Sequence, residues 1–284
     1  METGQKNMIP QQNNNNNNTS TINRLSVQVS LNGLSFLIMD VETSQIVFFK
    51  EIPFSGTFSP EEVLLELKKV YENEVALNAP MQHVAVLHEN NLHTLVPKSI
   101  FQEESLPDYL KYNAKLLPTD YISFDTLEKQ DLVNVYVPFT NINNYFFDLY
   151  GTFDFYHTST IFIEKIIATE RNEDFSKMYI QVFENRFDVL VTKNKKVHLY
   201  NSFTYATAQD FIYYILFVAE QLQLNPEEFP LHLYGRIQKD DGLYAIAYTY
   251  IRNLQITEID TNNFKGEDVS KSFLQTHNLL FTAL

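Results

Sequence analysis

The 284-residue sequence contains no cysteine and no tryptophan, and it has only 7 glycines. Without cysteine, disulfide bonds, thiol nucleophiles and cysteine-ligated metal sites are excluded. The glycines stand at positions 4, 33, 56, 151, 235, 242 and 266. No spacing among them forms a dinucleotide-binding fingerprint, a P-loop or a nucleophile elbow. The sequence therefore lacks the motifs of several large enzyme classes.

Basic residues are also scarce, because 21 Lys and Arg stand against 35 Asp and Glu for a net charge of -14. Such a surface repels phosphate backbones and anionic lipid head groups, so we expect no nucleic acid partner. The longest apolar run, Phe211 to Ala219, is less than half of the about 20 residues that span a bilayer. The start of the chain lacks the cationic and apolar segments of a secretion signal. We expect a cytoplasmic protein without membrane insertion.

Apolar residues make up 44% of the chain and support a sizeable core. The 23 Phe and 17 Tyr are numerous enough for an aromatic interaction surface as well. Residues 1–23, which include the run Asn13 to Asn18, have no apolar period. They are predicted to form a disordered Asn-rich tail.

Two stretches of the chain have the same order of predicted elements. Three β-branched or aromatic runs separated by polar turns are typical of an antiparallel meander. The first meander has strands Leu25–Ser30, Leu34–Asp40 and Ile46–Ile52, followed by a helix from Ser59 to Leu77. The second has strands Met178–Phe183, Phe187–Thr192 and Lys196–Tyr200, a helix from Gln209 to Leu224 and a strand Leu231–Tyr234.

The two meanders also match in detail. Val27-Gln28-Val29 corresponds to Ile180-Gln181-Val182, and the turn residue Asn32 corresponds to Asn185. Ser59 with Glu62 and Thr207 with Asp210 each form the capping box of a helix start. These coincidences in one order predict an internal duplication.

The rest of the chain divides into further short elements. Predicted strands are His83–His88, Leu92–Val96, Leu132–Val137, Phe153–Phe155 and Gln255–Ile259, and predicted helices are Ser99–Leu116, Asn141–Tyr150, Thr158–Glu170, Leu243–Leu254 and a helical start after Asp268. The polar residues 171–174 separate a first lobe, 24–170, from a second lobe, 175–284. Because the helix Gln209–Leu224 is apolar almost all round, we place it at the junction of the lobes.

Two consecutive β-β-β-α-β-α-β units predict an α/β fold of two tandem ribonuclease-H-like lobes, which is the actin-like ATPase architecture. The segments 25–36 (LSVQVSLNGLSF), 201–205 (NSFTY) and 210–214 (DFIYY) carry a resemblance to a bacterial family, domain of unknown function 3822, typical of Bacteroidetes. The resemblance covers nearly all of the chain after the tail and implies this fold without an activity. The plan also resembles pilus and secretion assembly proteins, some of which use such a body as a scaffold.

The actin-like resemblance points to a nucleotide cleft between two hairpins. In that superfamily each hairpin carries Asp-x-Gly, which holds phosphates through backbone N–H groups and metal through the carboxylate. The first hairpin here has Asn32-Gly33 without an acid, and the second has Glu184-Asn185-Arg186 without a glycine. Gly235 and Asp241-Gly242 partly match the nucleoside side, although a turn followed by a helix cap explains them equally.

Other catalytic sites find little support in the sequence. A two-metal nuclease needs an acid on the first strand of its lobe, where Gln28 and Gln181 stand instead. His83 and His88 lie at opposite ends of one strand and point to opposite faces, which disfavours a metal site. We therefore predict no catalytic residues, no metal ligands and no cofactor.

Two functions remain. The first is a non-catalytic scaffold or binding protein that acts through an unknown protein partner. The alternative is an ATP-binding actin-like ATPase or phosphotransferase with degenerate phosphate loops, which would hold ATP and Mg at the hairpin residues. The incomplete hairpins favour the first.

Overall fold

The computed structural model describes residues 22–111, 116–117, 120–257 and 270–284. Most of the predicted tail lies outside this part, and Asn23 already belongs to the first strand. The strands are β1 (Asn23–Val29), β2 (Gly33–Asp40), β3 (Gln45–Pro53), β4 (His83–His88), β5 (His93–Pro97), β6 (Ser123–Leu127), β7 (Leu132–Tyr136), β8 (Asp154–His157), β9 (Lys177–Val182), β10 (Arg186–Lys193), β11 (Lys196–Thr204), β12 (Pro230–Gly235) and β13 (Asn253–Ile256). The helices are α1 (Pro60–Asn73), α2 (Leu106–Leu110), α3 (Thr140–Tyr150), α4 (Thr158–Thr169), α5 (Ala208–Gln221), α6 (Gly242–Tyr250), α7 (Lys271–Thr276) and α8 (Asn278–Thr282).

Two five-stranded sheets form the body, in the orders β3-β2-β1-β4-β8 and β11-β10-β9-β12-β13. In each sheet the first three strands are antiparallel, and the last two join in parallel. The helices between the strands complete the predicted β-β-β-α-β-α-β order in both lobes. The predicted α/β architecture is confirmed.

The backbone irregularities repeat between the two sheets. The β2–β3 pairing shifts between Ile38 and Met39, and the β10–β11 pairing shifts between Val191 and Thr192. Counted from the turn residues Asn32 and Asn185, both shifts follow the sixth residue (38 − 32 and 191 − 185). Bulges are specific local features of a strand. Their equivalent positions support the internal duplication.

Both predicted capping boxes are present. The Ser59 hydroxyl accepts from the Glu62 N–H at 3.3 Å, and the Glu62 carboxylate accepts from the Ser59 N–H at 2.8 Å. Thr207 and Asp210 exchange the same two bonds at 3.1 and 2.9 Å. Each box satisfies N–H groups that have no partner inside the helix.

A third, antiparallel sheet, β5-β7-β6, is inserted into the first lobe after β4. The predicted helix Ser99–Leu116 is wrong over its described part, where 3₁₀ turns at Lys98–Ile100 and Glu103–Ser105 precede the five-residue α2. Pro107 lies in the first turn of α2, because it cannot donate a hydrogen bond inside a longer helix. Strand β6 (Ser123–Leu127) was not predicted, since three of its five residues are polar.

The end of the second lobe also differs from prediction. Helix α6 ends at Tyr250 instead of Leu254, and β13 starts at Asn253. The predicted strand Gln255–Ile259 extends into residues outside the described part. The helical start predicted near the C-terminal end is confirmed by α7 and α8.

The lobes are joined by two helices that cover each other's sheets. Ile163, Ile166 and Phe162 of α4, in the first lobe, share a buried cluster with Tyr179, Leu190 and Tyr234 of the second sheet. Helix α8, in the second lobe, contacts β1 and β2, and the carbonyl of Leu280 accepts from the Ser26 hydroxyl at 2.9 Å. Each sheet is therefore covered on its inner face by a helix from the other half of the chain.

The expected position of the helix Gln209–Leu224 at the lobe junction is wrong. The corresponding α5 packs beside α6 and buries Phe211, Ile215 and Val218 in the core of the second lobe. Its opposite face leaves Tyr213 61% and Phe217 42% exposed. None of the helices among the described residues has the length and apolar content that a membrane span requires.

Candidate functional site

The two hairpins that were predicted to hold phosphates face each other and touch. The turn between β1 and β2 places Asn32 opposite Asn185, which lies in the turn between β9 and β10. The Asn32 Nδ2 donates to Asn185 Oδ1 at 3.3 Å. Thr57 donates to the Asn32 Oδ1 at 3.3 Å, and the Asn32 N–H donates to Ser30 Oγ at 3.1 Å. Asn32 is thus held by its own lobe while it bridges to the other one.

Below this contact, charged side chains cross between the lobes. Arg236, which follows β12, forms an ion pair with Glu51 of β3. Its Nε lies 4.0 Å from Glu184 Oε2. His277, between α7 and α8, lies 3.4 Å from Glu51 Oε2. Burial lowers the pKa of His277 to about 4, with a further contribution from Arg236. The imidazole is therefore neutral at pH 7.

The space that these contacts leave is small. The cavity has a volume of about 40 Å³, and its lining includes Gln28, Gly33, Glu51, Glu89 and Glu184. Small-molecule sites in proteins usually occupy about 300–1,000 Å³. The cavity has room for a few water molecules at most. Three glutamates line it against one arginine, Arg236, and this excess of acid disfavours phosphate.

Gly33 is required by the sheet. A Cβ at this position would lie 2.8 Å from the Ile52 carbonyl oxygen and 3.3 Å from the Pro53 Cα. Contacts below 3.0 Å with backbone atoms force the chain to move, so close pairing of β2 with β3 explains this glycine without a ligand.

Arg186 does not point a free guanidinium into the cleft. Its Nη1 donates to Asp188 Oδ1 at 2.5 Å, and its Cζ lies 4.2 Å from the centre of the Phe183 ring. Across the lobe junction, Nη2 lies 3.8 Å from Glu89 Oε1. Glu89 accepts from Gln28 Nε2 at 2.6 Å, and burial raises its pKa although Arg186 opposes the rise. Arg186 is therefore held between Asp188 of its own lobe and Glu89 of the other, and its Nη2 is buried without a hydrogen-bond partner.

The remaining residues of the predicted site, Gly235, Asp241 and Gly242, have structural roles in the backbone of the second lobe. Gly235 has a φ of +83°, and a Cβ there would lie 2.2 Å from the Val182 carbonyl oxygen. Asp241 is the N-cap residue of α6 and accepts from the Gln238 N–H at 2.7 Å. Gly242 is the first residue of α6. The structure thus gathers Asn32, Gly33, Glu184 and Asn185 at the cleft mouth, while Arg186, Gly235, Asp241 and Gly242 do not line the cavity.

A second polar cluster, which the sequence reasoning missed, lies where the three sheets meet. The buried Asp188 accepts from Arg186, from the Tyr200 hydroxyl at 2.6 Å and from Ser202 Oγ at 2.7 Å. His93 Nε2 lies 3.1 Å from Ser202 Oγ. An open pocket of about 400 Å³ lies over His93, Tyr200 and Ser202. An acid in the middle of the apolar strand Phe187–Thr192 was the signal in the sequence.

The donor order in this cluster does not match a hydrolase. Ser202 gives its only hydroxyl hydrogen to Asp188, so His93 must donate its Nε2 hydrogen to Ser202. In a serine hydrolase the serine donates to the histidine, which in turn donates to the acid. Burial lowers the pKa of His93 to about 4, so this histidine is a neutral donor. Ser202 is consequently not activated as a nucleophile.

A second buried pair, Ser159 and His157, lies beside His93 in the first lobe, with the His157 ring centre 4.3 Å from that of His93. The Ser159 Oγ lies 2.6 Å from His157 Nδ1, and His157 Nε2 lies 3.1 Å from the Asn90 carbonyl oxygen. The Ser159 hydroxyl can therefore donate to His157, as a nucleophile would. Both residues are 0% exposed, so no substrate reaches them. Although Arg186 Nη2 is buried without a hydrogen-bond partner, the His93–Ser202 bond ties the two lobes together, and we assign to the cluster the role of fixing this arrangement.

In the described part of the chain, no group of three His, Cys, Asp or Glu side chains is placed to hold a metal ion.

The two duplicated sheets, the exchanged inner helices and the hairpins facing across a cleft define a protein of the actin-like ATPase fold. The family model described as "Protein of unknown function (DUF3822)" matches residues 12–254. The chain therefore belongs to this family, and no curated protein matches it.

Solved structures share the fold. A protein from Bacteroides thetaiotaomicron VPI-5482 "with actin-like ATPase fold and unknown function" is 24% identical, with a TM-score of 0.76 over 92% of this chain and 96% of that one. The "PilM-PilN type IV pilus biogenesis complex" contains a chain that is 12% identical, with a TM-score of 0.59 over 93% of this chain and 98% of that one. At these identities the likeness confirms the predicted fold and leaves the activity open.

Proposed function

We propose that this protein is a non-catalytic binding protein or scaffold that acts through a protein partner and does not hydrolyse ATP. The observation that carries the proposal is the direct contact of the two hairpins, with about 40 Å³ left between them. A bound nucleoside triphosphate would have to separate Asn32 from Asn185 and break the ion pair between Glu51 and Arg236.

The chemistry of the hairpins supports the same proposal. Phosphoryl transfer needs preorganised donors and a metal held by carboxylates, because negative charge develops on the transferred group. Asn32 has no carboxylate with which to hold a metal. Arg186, which could attract a phosphate, is engaged by Asp188. The PilM–PilN complex offers an example in which a protein with a similar fold assembles with a partner.

The proposal is tested first by phosphate release from Mg-ATP. We expect no release above the buffer control and no thermal shift, whereas a ligand at about 100 times its Kd adds roughly 2.7 kcal/mol to stability. Steady release that disappears in Asn32→Ala or Glu184→Ala would establish the alternative, an ATPase or phosphotransferase with unusual phosphate loops.

The second test is an affinity pull-down of the tagged full chain from its native lysate. We expect a specific protein, and no nucleic acid, to be recovered. Failure to recover any protein under several salt conditions, or after chemical cross-linking, would contradict the proposed function.

A further inference from the structure

Because the two lobes are duplicated, the outer surface of the second lobe can be compared with that of the first. Helices α1 and α5 hold the same place in the two lobes and begin with the same capping box. Aligning the caps Ser59 and Thr207 pairs the buried positions of one helix with buried positions of the other. These pairs are Val63 with Phe211, Leu67 with Ile215 and Val70 with Val218. The inner faces of the two helices are therefore equivalent.

The outer, solvent-facing sides of the two helices differ in composition. The same alignment pairs Glu66 with Tyr214, Lys68 with Leu216 and Lys69 with Phe217. Helix α1 thus carries acids and bases on its solvent side, as surface helices usually do. Helix α5 carries aromatic and aliphatic side chains at the equivalent positions.

The exposed rings of α5 form a continuous row that extends to the edge strand β11. Tyr213 lies 6.3 Å from Phe217 and 5.2 Å from Tyr214, measured between ring centres. Tyr214 stacks on Phe203 of β11 at 4.6 Å. We call these four residues the aromatic row. Tyr213 and Phe217 are 61% and 42% exposed, so the second lobe keeps two large rings in water where the first lobe has Leu65 and Lys69.

Acidic side chains predominate around the aromatic row, where the basic Arg252 is paired with Glu227. Residues 197–235 contain no Lys or Arg, and their four acids are Asp210, Glu220, Glu227 and Glu228. Asp210 and Glu220 lie near the two ends of α5, on either side of the exposed rings. Arg and Lys bind well over Tyr and Phe rings, and nearby carboxylates add to that attraction.

We propose that the aromatic row binds a basic segment of a partner protein, in which Arg or Lys residues alternate with apolar ones. This inference rests on the proposed function, since it specifies where and how a protein partner binds. A second copy of the chain fits less well, because two such rows would bring acids of like charge together.

Site-specific photo-cross-linking tests the proposal in the full chain. The photoreactive benzoylphenylalanine is placed at 217, or at 65 on the solvent side of α1 as a matched control, and the cells are irradiated. We expect the 217 protein to cross-link to a partner segment with net positive charge, and the control not to cross-link to it.

The cross-linked segment is then synthesised and its binding to the purified protein is measured. Phe217→Lys introduces the residue that α1 carries, and we expect it to weaken binding by about tenfold or more. Leu65→Lys makes the same change on α1 and should alter binding less than about twofold. Binding should also weaken as salt rises. Circular dichroism of both variants shows whether the fold is retained.

Each negative result of these experiments contradicts a different part of the proposal. A partner that is recovered by the full chain but does not cross-link at 217, or that binds Phe217→Lys like wild type, would overturn the aromatic row as the site and leave the proposed function standing. Cross-linking to an acidic segment or to a second copy of the chain would overturn the proposed partner chemistry. Recovery of no partner at all would remove the proposed function, and this inference with it.

Discussion

Gly235 and Gly242 were both candidates for a nucleotide site, and the structure gives them different roles. At Gly235 the backbone has a positive φ and passes within contact distance of β9, which leaves no room for a side chain. At Gly242, in the first turn of α6, an added Cβ would meet nothing within 4 Å. A turn signal in the sequence marks both positions alike, since only tertiary packing distinguishes them.

Gly235→Ala should therefore destabilise the protein, by at least about 1–3 kcal/mol for the strained conformation alone. Gly242→Ala should be close to neutral or slightly stabilising, because Ala favours a helix over Gly by up to about 1 kcal/mol. Urea unfolding of the two variants measures the difference. Equal losses in both would show that the close approach of Gly235 to Val182 is not what requires this glycine.

Arg186 illustrates why the side chains of a candidate site are hard to predict. Its position in the second hairpin was evident from the sequence, but its direction was not. Successive side chains of a strand point to opposite faces, so a turn that ends one residue earlier or later reverses every side chain that follows. Arg186 is the first residue of β10, where this ambiguity is greatest.

Among the elements, α4 and α5 show what apolar composition can and cannot predict. Their existence and approximate ends, and the cap of α5, followed from periodicity and turn residues. Both helices are rich in apolar residues, and the expectation that α5 lies between the lobes came from that richness alone. The structure places α4 there instead. Apolar content shows that a helix face favours contact, but it does not identify the contact.

The two helices should therefore lose different amounts of stability when a Phe on each is changed to Ala. Phe162 of α4 is 0% exposed and packs edge-on against Tyr234 at 5.7 Å between ring centres. Phe162→Ala should cost about 3–5 kcal/mol in free energy of unfolding, as other buried Phe truncations do. Phe217→Ala on α5 should cost less than about 0.5 kcal/mol, as is usual for surface sites. Similar losses in chemical denaturation would mean that the exposed row contributes to the core after all.

For the molecule as a whole, the exchanged inner helices predict that the lobes unfold together. Leu280 of α8 is 0% exposed and belongs to the second half of the chain, but α8 covers the first sheet. Leu280→Ala should cost about 2–5 kcal/mol. Hydrogen exchange should then show the same loss of protection in β1 and in β9. Loss of protection in β1 alone would indicate lobes that unfold independently.

Buried histidines predict that the whole protein loses stability in mild acid. Burial lowers the pKa of His88, His93 and His277 to about 4, and that of His157 well below its ordinary value of 6.5. Unfolding therefore takes up protons between about pH 6.5 and 4. Each proton lowers the free energy of unfolding by up to ~1.4 kcal/mol per pH unit as the pH falls.

Three acids oppose this trend. Burial raises the pKa of Asp125 to about 6 and raises those of Glu89 and Glu164, so all three release protons on unfolding. Burial also lowers the pKa of His232 to about 4, so five imidazoles outnumber the three acids, and we expect the free energy of unfolding to be lower at pH 5 than at pH 7. Urea titrations at pH 7, 6 and 5 test this, and constant or rising stability would contradict it.

The position of α8 also affects how the protein is made. The ribosome synthesises both sheets completely before residues 270–284, so the inner face of the first sheet stays open to water until that segment has emerged. For that interval a nascent chain with all its strands present still exposes apolar surface around β1 and β2. Early release or stalling before α8 emerges should therefore yield a species that aggregates or recruits chaperones, while a chain that includes α8 closes over this surface.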